Sequence, residues 1–200
     1  MSFSTEQARS FLGPLKNRTS VFLVEGRRAN LSFAKVITSA TTTTGSTLSI
    51  LDLDALYSSN AEVIFTRLPD DTLESTRIHI PEPGSSLEQE LSGLFGTEST
   101  TIMIDSLNSL HHLLSSPDRS TRSRKLAFTM AGLSYLARTA RRAVLFTMYK
   151  REKPARSGKG RPISDLSDLT VSVGVHDSQL LMRCERGSAW PGGRFSISIP

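Results

Sequence analysis

Two hundred residues suit one domain with a substantial core, but hardly two. No apolar run approaches the roughly 18 residues of a membrane span, and residues 1–10 lack the basic-then-apolar pattern of a signal peptide, so we expect neither. The one cysteine, Cys184, excludes an internal disulfide and indicates a reducing compartment such as the cytoplasm.

Positive charge is concentrated in one segment of the chain. The formal charge is +5 overall, but residues 118–161 hold 13 Lys or Arg against two acids, so this segment carries +11 and the remainder −6. The cations are Arg119, Arg122, Arg124, Lys125, Arg138, Arg141, Arg142, Lys150, Arg151, Lys153, Arg156, Lys159 and Arg161. This asymmetry predicts a polyanionic partner for one surface, with a merely solvated basic face as the alternative.

Helices and strands alternate over most of the chain. The apolar spacing predicts helices over residues 5–12, from 27 onward, over 55–65, 85–94, 107–114 and 124–142. Short apolar runs predict buried strands over residues 21–24, 48–51, 78–80, 101–105 and 143–148. Polar composition predicts loops over residues 40–46, 115–123 and 150–161.

The last third of the chain changes character. Residues 168–175, 178–185 and 193–199 leave no room for helices between them and predict an antiparallel meander with turns at Asp177 and 190–193. We interpret Trp190 as a lid over this small sheet, with an exposed partner contact as the alternative. The expected fold class is α/β: a doubly wound, mostly parallel sheet with a C-terminal antiparallel hairpin extension. Residues 1–18 would form an N-terminal arm and residues 19–200 the core domain.

The buried strand at 101–105 ends in a carboxylate, Asp105. Open α/β sheets bind their ligands at the carboxyl ends of their strands, so Asp105 could serve a metal-linked site. An Asp in this place can also cap the helix that follows. The residues by themselves leave both roles open.

In order and spacing, these elements resemble the RecA-like ATPase core, and in particular recombinase paralogs of the archaeal and eukaryotic type. Residues 21–26 resemble the strand before the phosphate loop, and residues 101–105 the Walker B strand. Residues 48–54 are similar to the strand that carries the family's water-activating Glu, with Asp54 at that place. The ending CERGSAWPGGRFSISIP is similar to the family's closing hairpin.

The phosphate loop departs from the family pattern. Such a loop needs two glycines, a Lys for the phosphates and a hydroxyl for Mg²⁺. Placing Gly26 on the first glycine puts Leu31, Ser32 and Phe33 on the other three positions. We therefore expect no catalysis, no metal and no cofactor. The alternative is residual binding of ATP with Mg²⁺, in which Arg27 or Arg28 would contact a phosphate. Asp54 and Asp105 would then be structural, Asp105 as a helix cap.

The resemblance implies that two loops bind nucleic acid. The first would carry Arg119, Arg122, Arg124 and Lys125, and the second Lys150, Arg151, Lys153, Arg156, Lys159 and Arg161. Because flexible basic loops neutralise phosphates without contacting base edges, binding should be salt-sensitive and tolerant of sequence.

The expected function is that of a catalytically degenerate recombinase paralog. It would bind DNA, single-stranded above all, and assist homologous recombination and DNA repair by pairing with a recombinase or another RecA-fold paralog in a homo- or hetero-oligomer. It would be nucleoid-associated in a prokaryote or nuclear in a eukaryote. One alternative is an Elongator-like assembly subunit that holds RNA or a protein client. Another is a KaiC-like regulatory module with residual nucleotide binding.

Overall fold

The computed structural model describes residues 3–66, 68, 74–82, 84, 86–96, 98–114, 118–150 and 166–199. Its strands are β1 (Thr19–Val24), β2 (Leu48–Asp52), β3 (Thr76–His79), β4 (Thr101–Asp105), β5 (Ala143–Tyr149), β6 (Leu169–His176), β7 (Gln179–Arg186) and β8 (Arg194–Ser198). Its helices are α1 (Thr5–Leu12), α2 (Arg27–Thr43), α3 (Leu56–Ser59), α4 (Ala61–Phe65), α5 (Leu87–Phe95), α6 (Leu107–Leu113) and α7 (Arg119–Thr139).

The strands form one eight-stranded sheet in the order β3-β2-β4-β5-β1-β6-β7-β8. The pairs from β3 across to β6 are parallel, whereas β6 with β7 and β7 with β8 are antiparallel. This arrangement confirms the predicted fold class. It also brings the carboxyl ends of β2, β4, β5 and β1 together at one edge of the sheet, where the candidate site lies.

Alternate residues of the central strands enter two separate cores, as the period of two in a strand requires. On β1, Phe22 lies in the core beneath α1 and α2, while the neighbouring Val21 lies in the core beneath α6 and α7. Phe33 of α2 fills the first core and Leu126 of α7 the second. Burial on both faces explains why these strands are near-continuous apolar runs.

Helix α2 is longer than predicted, because the threonine tract at its end is helical up to Thr43 rather than a loop from residue 40. The hydroxyls of Thr38 and Thr42 donate to the carbonyls four residues earlier, at 2.9 Å each, and Thr43 does the same at 2.8 Å. These hydroxyls are satisfied inside the helix, so the polar composition does not end it here.

Helix α7 also begins earlier than predicted, at Arg119 instead of Arg124, and ends at Thr139 instead of Arg142. The Asp118 carboxylate caps it by accepting from the backbone N–H of Ser120 at 3.1 Å and of Thr121 at 2.8 Å. Hydrogen bonds from these residues lower the pKa of Asp118, so the capping carboxylate stays ionised. The predicted loop over 115–123 is therefore wrong from Arg119 onward.

The predicted helix over 55–65 consists of two short helices, α3 and α4, with a break at Asn60. The Asn60 side chain donates to the Leu56 carbonyl at 2.7 Å. This bond occupies one of the carbonyls that the end of α3 leaves unpaired.

The N-terminal helix packs against the core with its buried face. Phe11 is fully buried. It stacks on Trp190, with ring centroids 6.0 Å apart, and packs at a tilt against Phe195, with ring centroids 5.1 Å apart. The Trp190 indole N–H donates to the Phe11 carbonyl at 3.4 Å. Trp190 is 3% exposed, so it clamps α1 onto the sheet and is not an exposed partner contact. The face of α1 that contains Phe11 is therefore not free to dock on another molecule.

Candidate functional site

A helix follows Gly26, the residue that the resemblance places on the first glycine of a phosphate loop. Helix α2 begins at Arg27, directly after Gly26, and the Asn30 N–H donates to the Gly26 carbonyl at 3.1 Å. Ser32 and Phe33, which the resemblance would place at the family's Lys and hydroxyl positions, both lie within α2. Phe33 is fully buried against Phe22, with 4.3 Å between ring centroids. A benzyl side chain in the core offers no oxygen to a metal ion.

The first turn of α2 is positively charged. Arg27 and Arg28 are exposed, and the N-cap residue, Gly26, has no side chain that could cap the helix. The unpaired backbone N–H groups of a helix start carry a partial positive charge. Together with the two guanidinium groups they make this edge attractive to anions in general.

Asp105 is buried in a polar cluster at the end of β4. Its carboxylate accepts from the Asn30 amide at 3.3 Å and from the Thr147 hydroxyl. Burial raises the pKa of Asp105 to about 6, although these two hydrogen bonds offset part of the effect. Its second oxygen and the Asn30 side-chain oxygen have no hydrogen-bond partner among the described residues. The carboxylate is thus held by two neutral side chains.

The predicted capping role of Asp105 is wrong. Ser106, the next residue, is the N-cap of α6, and its hydroxyl accepts from the Ser109 N–H at 3.4 Å. The Asp105 side chain instead lies between β4 and the neighbouring elements β5 and α2, through Thr147 and Asn30. It therefore links three parts of the fold.

A second carboxylate, Asp52, pairs N–H groups in the first turn of α3, whose N-cap residue is Ala55, and this role was missed from the sequence. It lies beside Asp105 in the sheet register and accepts from the N–H groups of Tyr57 at 3.2 Å and Ser58 at 2.7 Å. The Tyr57 ring is fully buried, and burial together with Asp105 and Asp52 raises the pKa of its hydroxyl. That hydroxyl has no hydrogen-bond partner among the described residues.

Asp54 is exposed at the same edge. It accepts from the Ser109 hydroxyl, and its N–H donates to the Asp105 carbonyl at 3.1 Å. The backbone after β2 is thereby fixed to the end of β4. The contacts of Asp54 agree with the structural role expected of it, without testing a catalytic one.

Lys150 is paired with a carboxylate. Its ammonium group lies 2.8 Å from Glu25, the residue after β1, and both side chains are about half exposed. Glu25 passes close over Gly174 of β6, where an added Cβ would lie 2.6 Å from a Glu25 carboxylate oxygen. Glu25 thus neutralises part of the charge at Lys150. This residue begins the second predicted basic loop (residues 150–161), called here the second basic segment; the first basic segment comprises residues 119–125.

Some of the remaining predicted cations lie on α7, and the others lie outside the described residues. Arg124 and Lys125 are exposed in the first turns of α7, so they lie on a helix rather than a loop. The side chains of Arg119 and Arg122 lie outside the described part of the structure. The residues Arg151, Lys153, Arg156, Lys159 and Arg161 lie outside it entirely.

The direction of α7 brings its first turns, with Arg124 and Lys125, toward the edge of the sheet where Lys150 lies. The helix has 21 residues, or ~31 Å, and β5, which follows it, has seven, or roughly 23 Å. Helix α7 ends near the start of β5 and shares a core with it through Leu126 and Phe146. Its first turns therefore reach the level of the carboxyl end of β5, where Lys150 begins the second segment.

Comparisons with known proteins identify the fold. No family model matches the sequence, and no curated protein does either. The crystal structure of the RadB recombinase matches with a TM-score of 0.65 at 12% identity, over 96% of this chain and 94% of that chain. The chain accordingly has the RecA-like fold of that recombinase. Identity this low shows the fold alone.

The described part of the chain contains no metal-binding cluster and no membrane-spanning helix. No three His, Cys, Asp or Glu side chains there converge to hold a metal ion. None of the helices described is both long and apolar enough to span a membrane.

Proposed function

We propose that this protein is a RecA-fold recombinase paralog that binds single-stranded DNA without turning over ATP and assists recombination through a RecA-fold partner. The observation that carries the proposal is that the first turns of α7, with Arg124 and Lys125, extend toward the carboxyl edge of the sheet, where Lys150 follows β5. The first turns of α7 reach the edge from which residues 150–161 continue. Positive charge gathered at one edge suits a polyanion that runs along it.

The geometry around Gly26 supports the absence of ATP turnover. A phosphate loop binds through backbone N–H groups on a turn between strand and helix, and here helix α2 follows Gly26 directly. Ser32 supplies no ammonium group and Phe33 no metal-binding oxygen. Positioning alone rarely replaces the lysine in phosphoryl transfer.

The proposed DNA binding is tested by adding the protein to a fluorescein-labelled oligo(dT) of about 30 nucleotides and measuring the fluorescence anisotropy at several salt concentrations. The wild type should bind, and affinity should fall steeply with salt. The double variant Arg156→Glu/Lys159→Glu should bind weakly. Its log–log salt slope should be shallower by about 1.4 if two phosphate contacts are lost.

A matched control is available on the antiparallel strands. Arg183 and Arg194 are exposed and paired in register on β7 and β8, away from the basic edge. The variant Arg183→Glu/Arg194→Glu changes the net charge by the same amount and should bind like the wild type. Equal losses in both double variants would mean that net charge, and not a defined edge, governs binding.

The nature of the polynucleotide and of the partner is tested separately. Competition with duplex DNA and with structured RNA should leave the oligo(dT) complex the more stable, whereas displacement by structured RNA would favour an RNA-holding assembly subunit. A RecA-fold recombinase from the same source, mixed with the protein at micromolar concentration, should form a complex in sedimentation velocity. Absence of a complex would remove the partner from the proposal.

A further inference from the structure

The outward face of α7 carries two large exposed aromatic side chains. Phe128 is 83% exposed and Tyr135 is 68% exposed. At 3.6 residues per turn, Arg124, Phe128 and Tyr135 lie within about 40° of one another around the helix axis. The core-facing residues of the same helix, including Met130, lie on the opposite side. Helix α7 is thus apolar on its buried face and aromatic on its outward face.

The surface between the two rings is shallow. Ala131 and Gly132 lie between Phe128 and Tyr135 in sequence, and both are exposed. Single exposed hydrophobic residues are common on protein surfaces, but two aromatic rings on one helix face that flank small residues form an open platform. Neither Ala131 nor Gly132 carries a bulky side chain, so this part of α7 leaves room for a flat group between the two rings.

The positive charge of α7 favours an anionic ligand. No Asp or Glu occurs between Arg119 and Thr139. Arg124 and Lys125 are exposed, and within the described ranges neither has a carboxylate at ion-pair distance. Single-stranded nucleic acid matches the cations through its phosphates and the rings through its bases.

We infer that the outward face of α7 is a stacking platform for the bases of single-stranded nucleic acid. Phe128 and Tyr135 contact the bases, and Arg124 and Lys125 contact the flanking phosphates. This inference rests on the proposed nucleic-acid binding and extends it from the basic segments to two aromatic residues. Because every base has a π face, the platform tolerates any sequence, and it excludes duplexes, whose bases are stacked on one another.

The test uses the full chain and the same oligo(dT) probe. Phe128→Ala and Tyr135→Ala should each weaken binding by at least about fivefold, the lower end of the range for a lost stacking contact, with the salt slope unchanged. Phe128→Leu should weaken binding as Phe128→Ala does, because leucine keeps apolar area but cannot stack. Phe128→Trp should retain binding.

The control is Leu181→Ala, which trims an exposed apolar side chain on β7, outside α7. It should bind like the wild type. Because Phe128 is exposed, its variants should keep the wild-type circular dichroism spectrum and melting temperature. Phe128→Trp keeps an aromatic ring at this position, in contrast to Phe128→Ala and Phe128→Leu.

The outcomes separate this inference from the proposed function. If the wild type binds and Arg156→Glu/Lys159→Glu weakens it, but Phe128→Ala and Tyr135→Ala do not, the platform is refuted and the proposed function stands. Wild-type-like binding by Phe128→Leu would also refute stacking. If the wild type does not bind oligo(dT) at all, the proposed function fails and the platform with it.

Discussion

Replacing the buried Asp105 with Asn should stabilise the protein at neutral pH. Burial raises the pKa of Asp105 from an ordinary 3.8 to about 6, so the ionised carboxylate is disfavoured in the fold. At 1.36 kcal/mol per pH unit, the difference corresponds to about 3 kcal/mol. The amide oxygen of Asn could accept from Thr147 and Asn30 as the carboxylate does, but without a buried charge. The Asp105→Asn protein should gain up to that amount at about pH 7.5.

The pH dependence of the free energy of unfolding follows from which state, folded or unfolded, binds the Asp105 proton more tightly. Because the folded-state pKa of Asp105 lies above the ordinary value, the folded protein binds this proton more strongly than the unfolded chain between about pH 4 and pH 6. The wild type should lose this part of its stability as pH rises through that interval, and then lose no more. The Asp105→Asn variant should lack the decline, so the two proteins should differ least near pH 4.

Urea denaturation of both proteins at about pH 4, 6 and 7.5 measures this difference. Glu185→Gln is the control, because Glu185 is an exposed carboxylate on β7, away from Asp105, and the loss of its charge should change the free energy of unfolding little. A less stable Asp105→Asn protein at about pH 7.5 would refute the reasoning. So would a difference that is the same at every pH, because it could not come from protonation.

Two further predictions concern nucleotide and the N-terminal helix. Millimolar ATP with Mg²⁺ should leave the melting temperature unchanged, because we expect no nucleotide site beside Gly26. A ligand at 100 times its Kd would add about 2.7 kcal/mol to the free energy of unfolding, so a clear upward shift would show that a nucleotide site survives there. Phe11→Ala should cost about 3–5 kcal/mol in urea denaturation, because Phe11 is fully buried against Trp190. A cost below about 1 kcal/mol would mean that α1 is not part of the cooperative fold.

The fold was predictable because its signals are local and repeated. Apolar runs of strand length alternate with segments of helical spacing, and the last three strands follow one another without helices between them. Apart from the break at Asn60, the errors described above lie where polar residues are helical. The hydroxyls of Thr38, Thr42 and Thr43 bond inside α2, and Asp118 starts a helix whose first turns contain few apolar residues.

The site was only partly predictable, because its contacts join distant parts of the chain. Asp105 was singled out by its place at a strand end, but its partners Asn30 and Thr147 lie 75 and 42 residues away. No local pattern connects an Asn in one helix with a Thr on another strand. The same holds for Glu25 and Lys150, which are adjacent only because β1 pairs with β5.

Photo-crosslinking with a 5-iodouracil-substituted oligonucleotide, followed by mass-spectrometric mapping, tests most directly where the polynucleotide lies. The account predicts adducts within residues 118–161, in both basic segments and including Phe128 or Tyr135 if the platform is correct. Adducts confined to β6, β7 and β8, or spread evenly over the surface, would contradict a binding edge built from α7 and the chain after β5.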